Sequence, residues 1–363
     1  MRSPVVSLMK EAVADGVFPG AVLLVAHRGR VILHEAFGDA ARLPRKIPMT
    51  RPTRFDLASL TKPLATTTAM MLLFQEGKIA LSDPIGRWIP EFNRGRKADV
   101  AIFHLLNHSS GLRAWRPYYR DFIKSRRGIG TAAVRKKVYE RVHRERLTYP
   151  TGSQSLYSDV GFILSGEIVE RVTGMELDRF CRERIFGPLG LRTLGFRRVG
   201  GRPARSMWFA ATERRPWRGR ILCGEVHDDN AYVMGGVAGH AGLFGTALDV
   251  WRLTHRILAA SSGKDERFLP QKIVEPFVTR AGTPHSSWAL GWDTPSAPSS
   301  SGRFFSPRSF GHLGFTGSSL WADRDRDGVV VLLTNRVHPT SRNVRIRAFR
   351  PMIHDLIIEE LIR

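Results

Sequence analysis

Three serines stand three residues ahead of a lysine: Ser7–Lys10, Ser59–Lys62 and Ser261–Lys264. On a helix that spacing puts hydroxyl and amine on one face, a turn apart. A desolvated lysine there can take the serine's proton and make it a nucleophile. With 25 serines and 10 lysines in 363 residues, fewer than one match is expected by chance, so the surroundings must decide. Ser261-Ser-Gly-Lys264 reads as a polar loop with a solvated, protonated lysine, and Ser7–Lys10 as part of an exposed N-terminal helix. Ser59-Leu-Thr-Lys62 opens a helical stretch almost free of charge from Leu64 to Phe74. That is the buried setting in which a lysine pKa falls. The competing role for Ser59 is an ordinary helix N-cap.

Two further segments carry chemistry. Tyr157-Ser-Asp159 opens the apolar helix from Val160 to Glu170, and a phenol beside an ammonium can have a depressed pKa and act as a base. Gly311-His-Leu-Gly-Phe-Thr-Gly317 directly precedes a strand-like run. Its glycines let backbone approach a ligand, and its free N–H groups can hold an oxyanion. Gly224-Glu-Val-His-Asp-Asp-Asn230 invites a metal reading, but His227 has no second ligand at a metal spacing. A loop held by side-chain to backbone hydrogen bonds is the better expectation. His108 and His240 read as loop or core histidines.

The elements that must position these residues are legible in outline. Residues 4–15 form a helix stopped by Gly16. Ala21 to Ala26 and Val31 to Phe37 form a hairpin, and Ser59 to Gly77 is helical. Residues 80–230 carry mainly helical patterns, including Val160 to Val172 and Glu176 to Ile185. Ser318 to Asp323 and Val329 to Thr334 are strands joined by a charged turn, and Ile346 to Ile362 is a closing helix. Strands at both ends and helices between them predict an antiparallel sheet built from the two termini.

Composition narrows the class. Hydrophobic residues make up 42% of the chain, enough for a sizeable core and too many for wholesale disorder. No apolar run reaches membrane-spanning length, and no signal peptide is recognisable. The expected compartment is the cytosol, or the periplasm if the natural start lies upstream. Cys181 and Cys223 are too few for a disulfide framework. The net charge of +23 comes largely from arginine, concentrated in 113–146, 197–220 and 336–350. Without interleaved aromatics these stretches predict a solvated basic surface and no specific nucleic-acid partner.

Ser59-Leu-Thr-Lys62, Tyr157-Ser-Asp159 and His312-Leu-Gly314, in that order, resemble the three motifs of class C serine β-lactamases. D-alanyl-D-alanine peptidases and β-lactamase-related esterases share the set. Phe55-Asp-Leu-Ala-Ser59, Leu105-Leu-Asn-His-Ser-Ser-Gly-Leu112 and Gly235-Gly-Val-Ala-Gly-His-Ala-Gly-Leu-Phe244 extend the similarity from about Gly20 to Asn335. The resemblance implies an α+β fold, the α/β sandwich of the serine β-lactamases, in a single catalytic domain over residues 1–363. Its α/β region would span approximately 1–79 and 240–363, and its helical region approximately 80–239. It implies a serine hydrolase acting through an acyl-enzyme on a small ester or amide, with no cofactor and no metal. A true β-lactamase, a D-alanyl-D-alanine carboxypeptidase or a silent penicillin-binding-like protein are the alternatives.

Carried over by motif, Ser59 is the nucleophile, Lys62 its proton partner and Tyr157 the general base. The N–H groups of Ser59 and Phe315 form the oxyanion hole, and Asp159, His312 and Gly314 contact substrate. Three departures stand out. Asp159 replaces the usual Asn, and His312-Leu313 replaces Lys-Thr, the pair that grips a substrate carboxylate. These changes predict a preference for neutral esters. They also predict better carboxylate binding below about pH 6.5 as His312 gains a proton, unless arginines from 113–146 or 197–220 supply the charge.

Overall fold

A strand that is apolar at every position needs cover on both faces, and two segments meet that description. Gly20–His27 and Gly328–Thr334 are buried almost throughout and pair antiparallel at the centre of a six-stranded sheet, from Ala21 opposite Thr334 to His27 opposite Gly328. The computed structural model describes residues 3–125, 127–201 and 206–362. Arg126 and the arginines at 202 and 205, part of the basic stretches, lie outside it. Outward from the centre, Arg30–Ala41 and Ile47–Pro48 complete one half of the sheet, and Ser319–Asp323 and Phe310–Leu313 the other.

Alternation along the strands sorts side chains into two cores. Leu23, Val25, Val330 and Leu332 meet the terminal helices Pro4–Ala14 and Ile346–Leu361 through Val5, Met9, Ile353 and Ile357. Val22, Leu24, Val331 and Leu333 face the larger core, which includes the helical segment that follows Ser59 and the helices of the middle of the chain. The expectation of a sheet made from both termini, with helices packed on it, matches this α+β architecture. No helix among the described residues is long and apolar enough to cross a membrane.

Local differences have local causes. The helix expected from Ser59 to Gly77 is three pieces: a 3-10 turn Ala58–Leu60, a widened π turn Lys62–Thr67 and an α-helix Thr68–Gln75. Pro63 has no N–H to donate, and the Thr68 hydroxyl bonds its carbonyl at 3.0 Å, as fits a locally opened helix. Gly77 ends it at φ +66°. His312 sits within the edge strand Phe310–Leu313, not in a loop ahead of the sheet, and a hairpin of Ala211–Arg215 and Arg220–Cys223 interrupts the region read as helical. Ser261 is the buried last residue of the helix Ala247–Ser261 rather than part of a loop.

Candidate active site

The nucleophile candidate sits at the end of a tensioned segment. Phe55–Asp56 is held in a small sheet by Leu243–Gly245. Ala58 then adopts φ +47°, a conformation that costs a residue with a Cβ about 1–3 kcal/mol and persists only when its surroundings impose it. Asp56 imposes it: one carboxylate oxygen accepts from the Ala58 N–H at 2.9 Å and the other from the His227 N–H at 2.6 Å. The Asp56 carbonyl in turn accepts from the Thr316 hydroxyl at 2.9 Å. Ser59 is therefore presented in the middle of the turn Ala58–Leu60, whose N-cap position is Leu57, and is not its cap.

Lys62 is fully buried. Its ammonium donates to Ser59 Oγ at 3.0 Å and to the His240 carbonyl at 3.2 Å, and lies 2.7 Å from Asp159 Oδ1. It stands 4.8 Å from the centre of the Tyr157 ring, close enough that Lys62 and Tyr157 shift one another's protonation. The four motif residues thus form one cluster.

Their charge states correct the sequence expectation. Burial alone would depress Lys62, but the Asp159 carboxylate and then Tyr157 outweigh it and hold the amine above its ordinary value. Burial likewise raises Tyr157, and the Lys62 charge pulls it only part of the way back. In the resting site Lys62 is an ammonium and Tyr157 a neutral phenol, the reverse of the shifts expected from a simple buried lysine.

His312 also departs from expectation. It is 2% exposed, and its Nδ1–H donates to the Leu313 carbonyl at 2.7 Å, which leaves Nε2 bare and without a partner. Burial and then the Lys62 charge push its pKa down to about 3, so it stays neutral at physiological pH and does not become the proposed acid-side cation. It belongs instead to an aromatic wall around Tyr157. Trp288 lies 5.4 Å and Tyr157 5.9 Å from its ring, while His108 sits 4.7 Å from Tyr157 and 4.5 Å from Trp288. His108 accepts the Ser158 N–H at 3.1 Å through Nδ1, so it is a core histidine that also backs the tyrosine.

A cavity of about 340 Å³ opens beside Ser59 and Tyr157, lined on its far side by His312 to Phe315 and by Arg336, Arg347 and Arg350. Leu313 cannot contact a carboxylate as threonine does, yet positive charge is present. It comes from the third basic stretch rather than from 113–146 or 197–220. Several arginines of those two stretches are engaged elsewhere: Arg113 and Arg116 with Glu145, Arg141 with Asp121, and Arg218 with Asp229. Among the described residues no carboxylate pairs with Arg336, Arg347 or Arg350. Arg336 is committed to the carbonyls of Phe315, Ser341 and Asn343, and Arg350 to those of Gly314 and Ser318. Arg347 is exposed at the rim.

The segment Gly224–Asn230 acquires a physical role. Besides the His227 bond to Asp56, Asp228 accepts from the Ala231 N–H at 2.7 Å and pairs with His240 Nε2 at 2.9 Å, so it steadies the residue whose carbonyl receives Lys62. The His227 ring stacks 5.4 Å from that of Phe315. Asp56, Asp293 and the three arginines were not singled out from the sequence. Only the basic clustering of 336–350 signalled any of them.

A serine that follows the positive-φ Ala58 and sits 3.0 Å from a buried ammonium, in a fold centred on an antiparallel sheet, has the makings of an acyl-transfer hydrolase. Comparison with known proteins agrees: the β-lactamase family profile matches residues 5–350, and the chain belongs to that family. An N-acetylmuramyl-L-alanine amidase of Bacillus subtilis is 33% identical over 361 residues, spanning 91% of this chain and 80% of that protein. An Escherichia coli K12 protein, provisionally named D-alanyl-D-alanine carboxypeptidase, is 33% identical over 353 residues, with 89% and 80% covered. Among solved structures, the hydrolase EstCE1, described as having promiscuous acyltransferase activity, superposes with a TM-score of 0.73 at 24% identity, covering 96% of this chain and 97% of that one. A penicillin-binding protein homologue from Pyrococcus abyssi does so with a TM-score of 0.72 at 20% identity, covering 98% and 78%. These two likenesses concern the fold. The protein is a serine hydrolase of the β-lactamase family.

Proposed function

We propose that Ser59 attacks the carbonyl carbon of a small ester or amide and that the resulting acyl-enzyme is released by water. The observation that carries this reading is the Lys62 ammonium, 3.0 Å from Ser59 Oγ and 2.7 Å from Asp159. With Lys62 donating to Ser59, the serine's own proton is directed to the Tyr157 oxygen. As the Ser59 Oγ–carbon bond forms, Tyr157 takes that proton and passes its own to the leaving oxygen or nitrogen, whose bond to carbon breaks. No free phenolate is needed, in keeping with the raised Tyr157 pKa. Water enters by the reverse relay. The N–H groups of Ser59 and Phe315 receive the oxyanion, where preorganised donors lower the barrier most. Asp159 keeps Lys62 charged and His312 walls the cleft.

The substrate we favour carries a carboxylate on the side of the C-terminal helix. Arg347, at the rim and without an ion-pair partner among the described residues, is the group that would hold it, in place of the missing Lys-Thr pair. The amidase and carboxypeptidase names of the relatives point to peptides of that kind. We further propose that the whole of residues 1–363 works as one catalytic domain.

A fluorophosphonate probe followed by intact-mass measurement tests the nucleophile: one adduct on the native chain, none on Ser59→Ala, and unchanged labelling in Ser7→Ala and Ser261→Ala. An adduct that survives Ser59→Ala ends the proposal. Parallel kcat/KM values for p-nitrophenyl butyrate, nitrocefin and a D-alanyl-D-alanine dipeptide test the substrate class.

A further inference from the structure

We propose that Arg350 is a positioning residue for the oxyanion hole, acting through the carbonyl of Gly314. This rests on the reading of the Phe315 N–H as an oxyanion donor. That N–H and the Gly314 carbonyl belong to one planar amide, so whatever fixes the carbonyl fixes the direction in which the N–H points. The Gly314 carbonyl accepts from the Gly317 N–H at 3.0 Å and from Arg350 Nη2 at 3.2 Å. The same Nη2 donates to the Ser318 carbonyl at 2.9 Å, which also receives the Gly314 N–H at 2.8 Å. One guanidinium nitrogen therefore bridges both ends of the turn that carries Phe315.

The next amide is held as firmly. The Phe315 carbonyl accepts from Arg336 Nε at 3.0 Å and Nη2 at 2.6 Å, and the Phe315 ring lies against the Arg336 guanidinium. On the other side the turn cannot slide, because a Cβ at Gly314 would meet the Leu57 carbonyl at 2.8 Å. The turn is thus pressed against the chain that presents Ser59.

Arg350 does more than brace. A cation on an amide oxygen withdraws electron density from the nitrogen and strengthens the N–H as a donor. Its burial makes the interaction strong and also identifies it as unusual. The residue is 6% exposed, Nε is buried without a partner, and no acid neutralises it among the described residues. A fold that needed only a strut would fill this position with an apolar side chain at lower cost.

The test compares a neutral phenyl ester with its thionoester, in which sulfur replaces the carbonyl oxygen and accepts oxyanion-hole hydrogen bonds poorly. Each rate is taken relative to alkaline hydrolysis of the same compound. The native enzyme is expected to favour the oxoester at least about a hundredfold. Arg350→Met, similar in length, should lower kcat on the oxoester at least tenfold with KM changed less than threefold. It should also shrink the oxo-to-thiono preference about tenfold, and Arg350→Lys should recover part of both. Equal losses on the two esters, or no loss, would overturn the inference and leave Arg350 as a structural brace. If Arg350→Met does not fold, Arg350→Lys decides by the same ratio: unchanged overturns, diminished supports. A native ratio near one would instead remove the oxyanion role of Phe315, and the inference with it, while leaving Ser59 labelling intact.

Discussion

The two walls of the cleft are built on opposite electrostatic rules. On the nucleophile wall each charge has a partner at close range: Lys62 with Asp159, Asp228 with His240, and Asp56 with two backbone N–H groups. On the facing wall three guanidiniums line the cavity and, among the described residues, none is in an ion pair; two of them are spent on backbone carbonyls. A self-neutralising cluster keeps its protonation states whatever enters, which suits chemistry. An uncompensated wall has free energy to gain from an anion, which suits recognition.

The largest effects belong to the wall that carries Ser59. Ser59→Ala should reduce turnover about ten-thousand-fold or more, the scale seen when the nucleophile of an acyl-transfer site is removed, with any hydrolysis left on the other wall's account. Stopped assays on a p-nitrophenyl ester would measure it. Next, Asp159→Asn removes the charge that holds Lys62 up. Burial then wins, the lysine pKa falls, and the alkaline limb of the kcat profile should move to lower pH with about a tenfold loss of kcat near pH 9. An unmoved limb would mean that Asp159 does not set the lysine's charge.

The recognition wall should give smaller and more selective effects. Arg347→Ala should raise KM for a carboxylate-bearing substrate about tenfold, the loss of one charge-assisted hydrogen bond of about 1.5 kcal/mol, while leaving p-nitrophenyl butyrate within about twofold. Equal effects on both substrates would show the arginine to be structural. The smallest effect concerns Asp293, which lines the cleft beside Trp288. Burial pushes its carboxyl up to about 6, despite the Ser287 hydroxyl and Thr294 N–H bonds to it and the charge of Arg280. Below about pH 6 it is neutral and no longer repels an anion. kcat/KM for an anionic substrate should therefore rise a few-fold as pH falls through 6, stay flat for a neutral ester, and lose the step in Asp293→Asn. His312, held near 3, cannot supply that step.

What the sequence made legible follows from how far apart the cooperating residues lie. Ser59 and Lys62 share one turn, so residue type, spacing and an uncharged helix picked them out, while Tyr157 and Asp159 share one short motif whose resemblance to the β-lactamase family supplied their roles. The terminal strands were legible because a fully covered strand is apolar along its whole length. Asp56 was not, because its partners, His227 and Thr316, are far away in sequence and an Asp before a helix reads as a cap. Arg350 escaped because its effect on Phe315 passes through a backbone carbonyl that no side-chain pattern records. The signs of the Lys62 and Tyr157 shifts escaped too. They depend on a 2.7 Å approach of Asp159 set against burial, a balance of distances rather than of residue types.

The pairing of Gly20–His27 with Gly328–Thr334 also sets a timetable for the growing chain. The central strand leaves the ribosome early, but its second neighbour is translated about 300 residues later, which at about 5–20 residues per second is roughly 15–60 s. Through that interval one edge of an apolar strand stays open, the condition under which nascent chains aggregate. The arginine wall of the cleft, carried by the end of Phe310–Leu313 and by Ile346–Leu361, is translated only at the end of that interval.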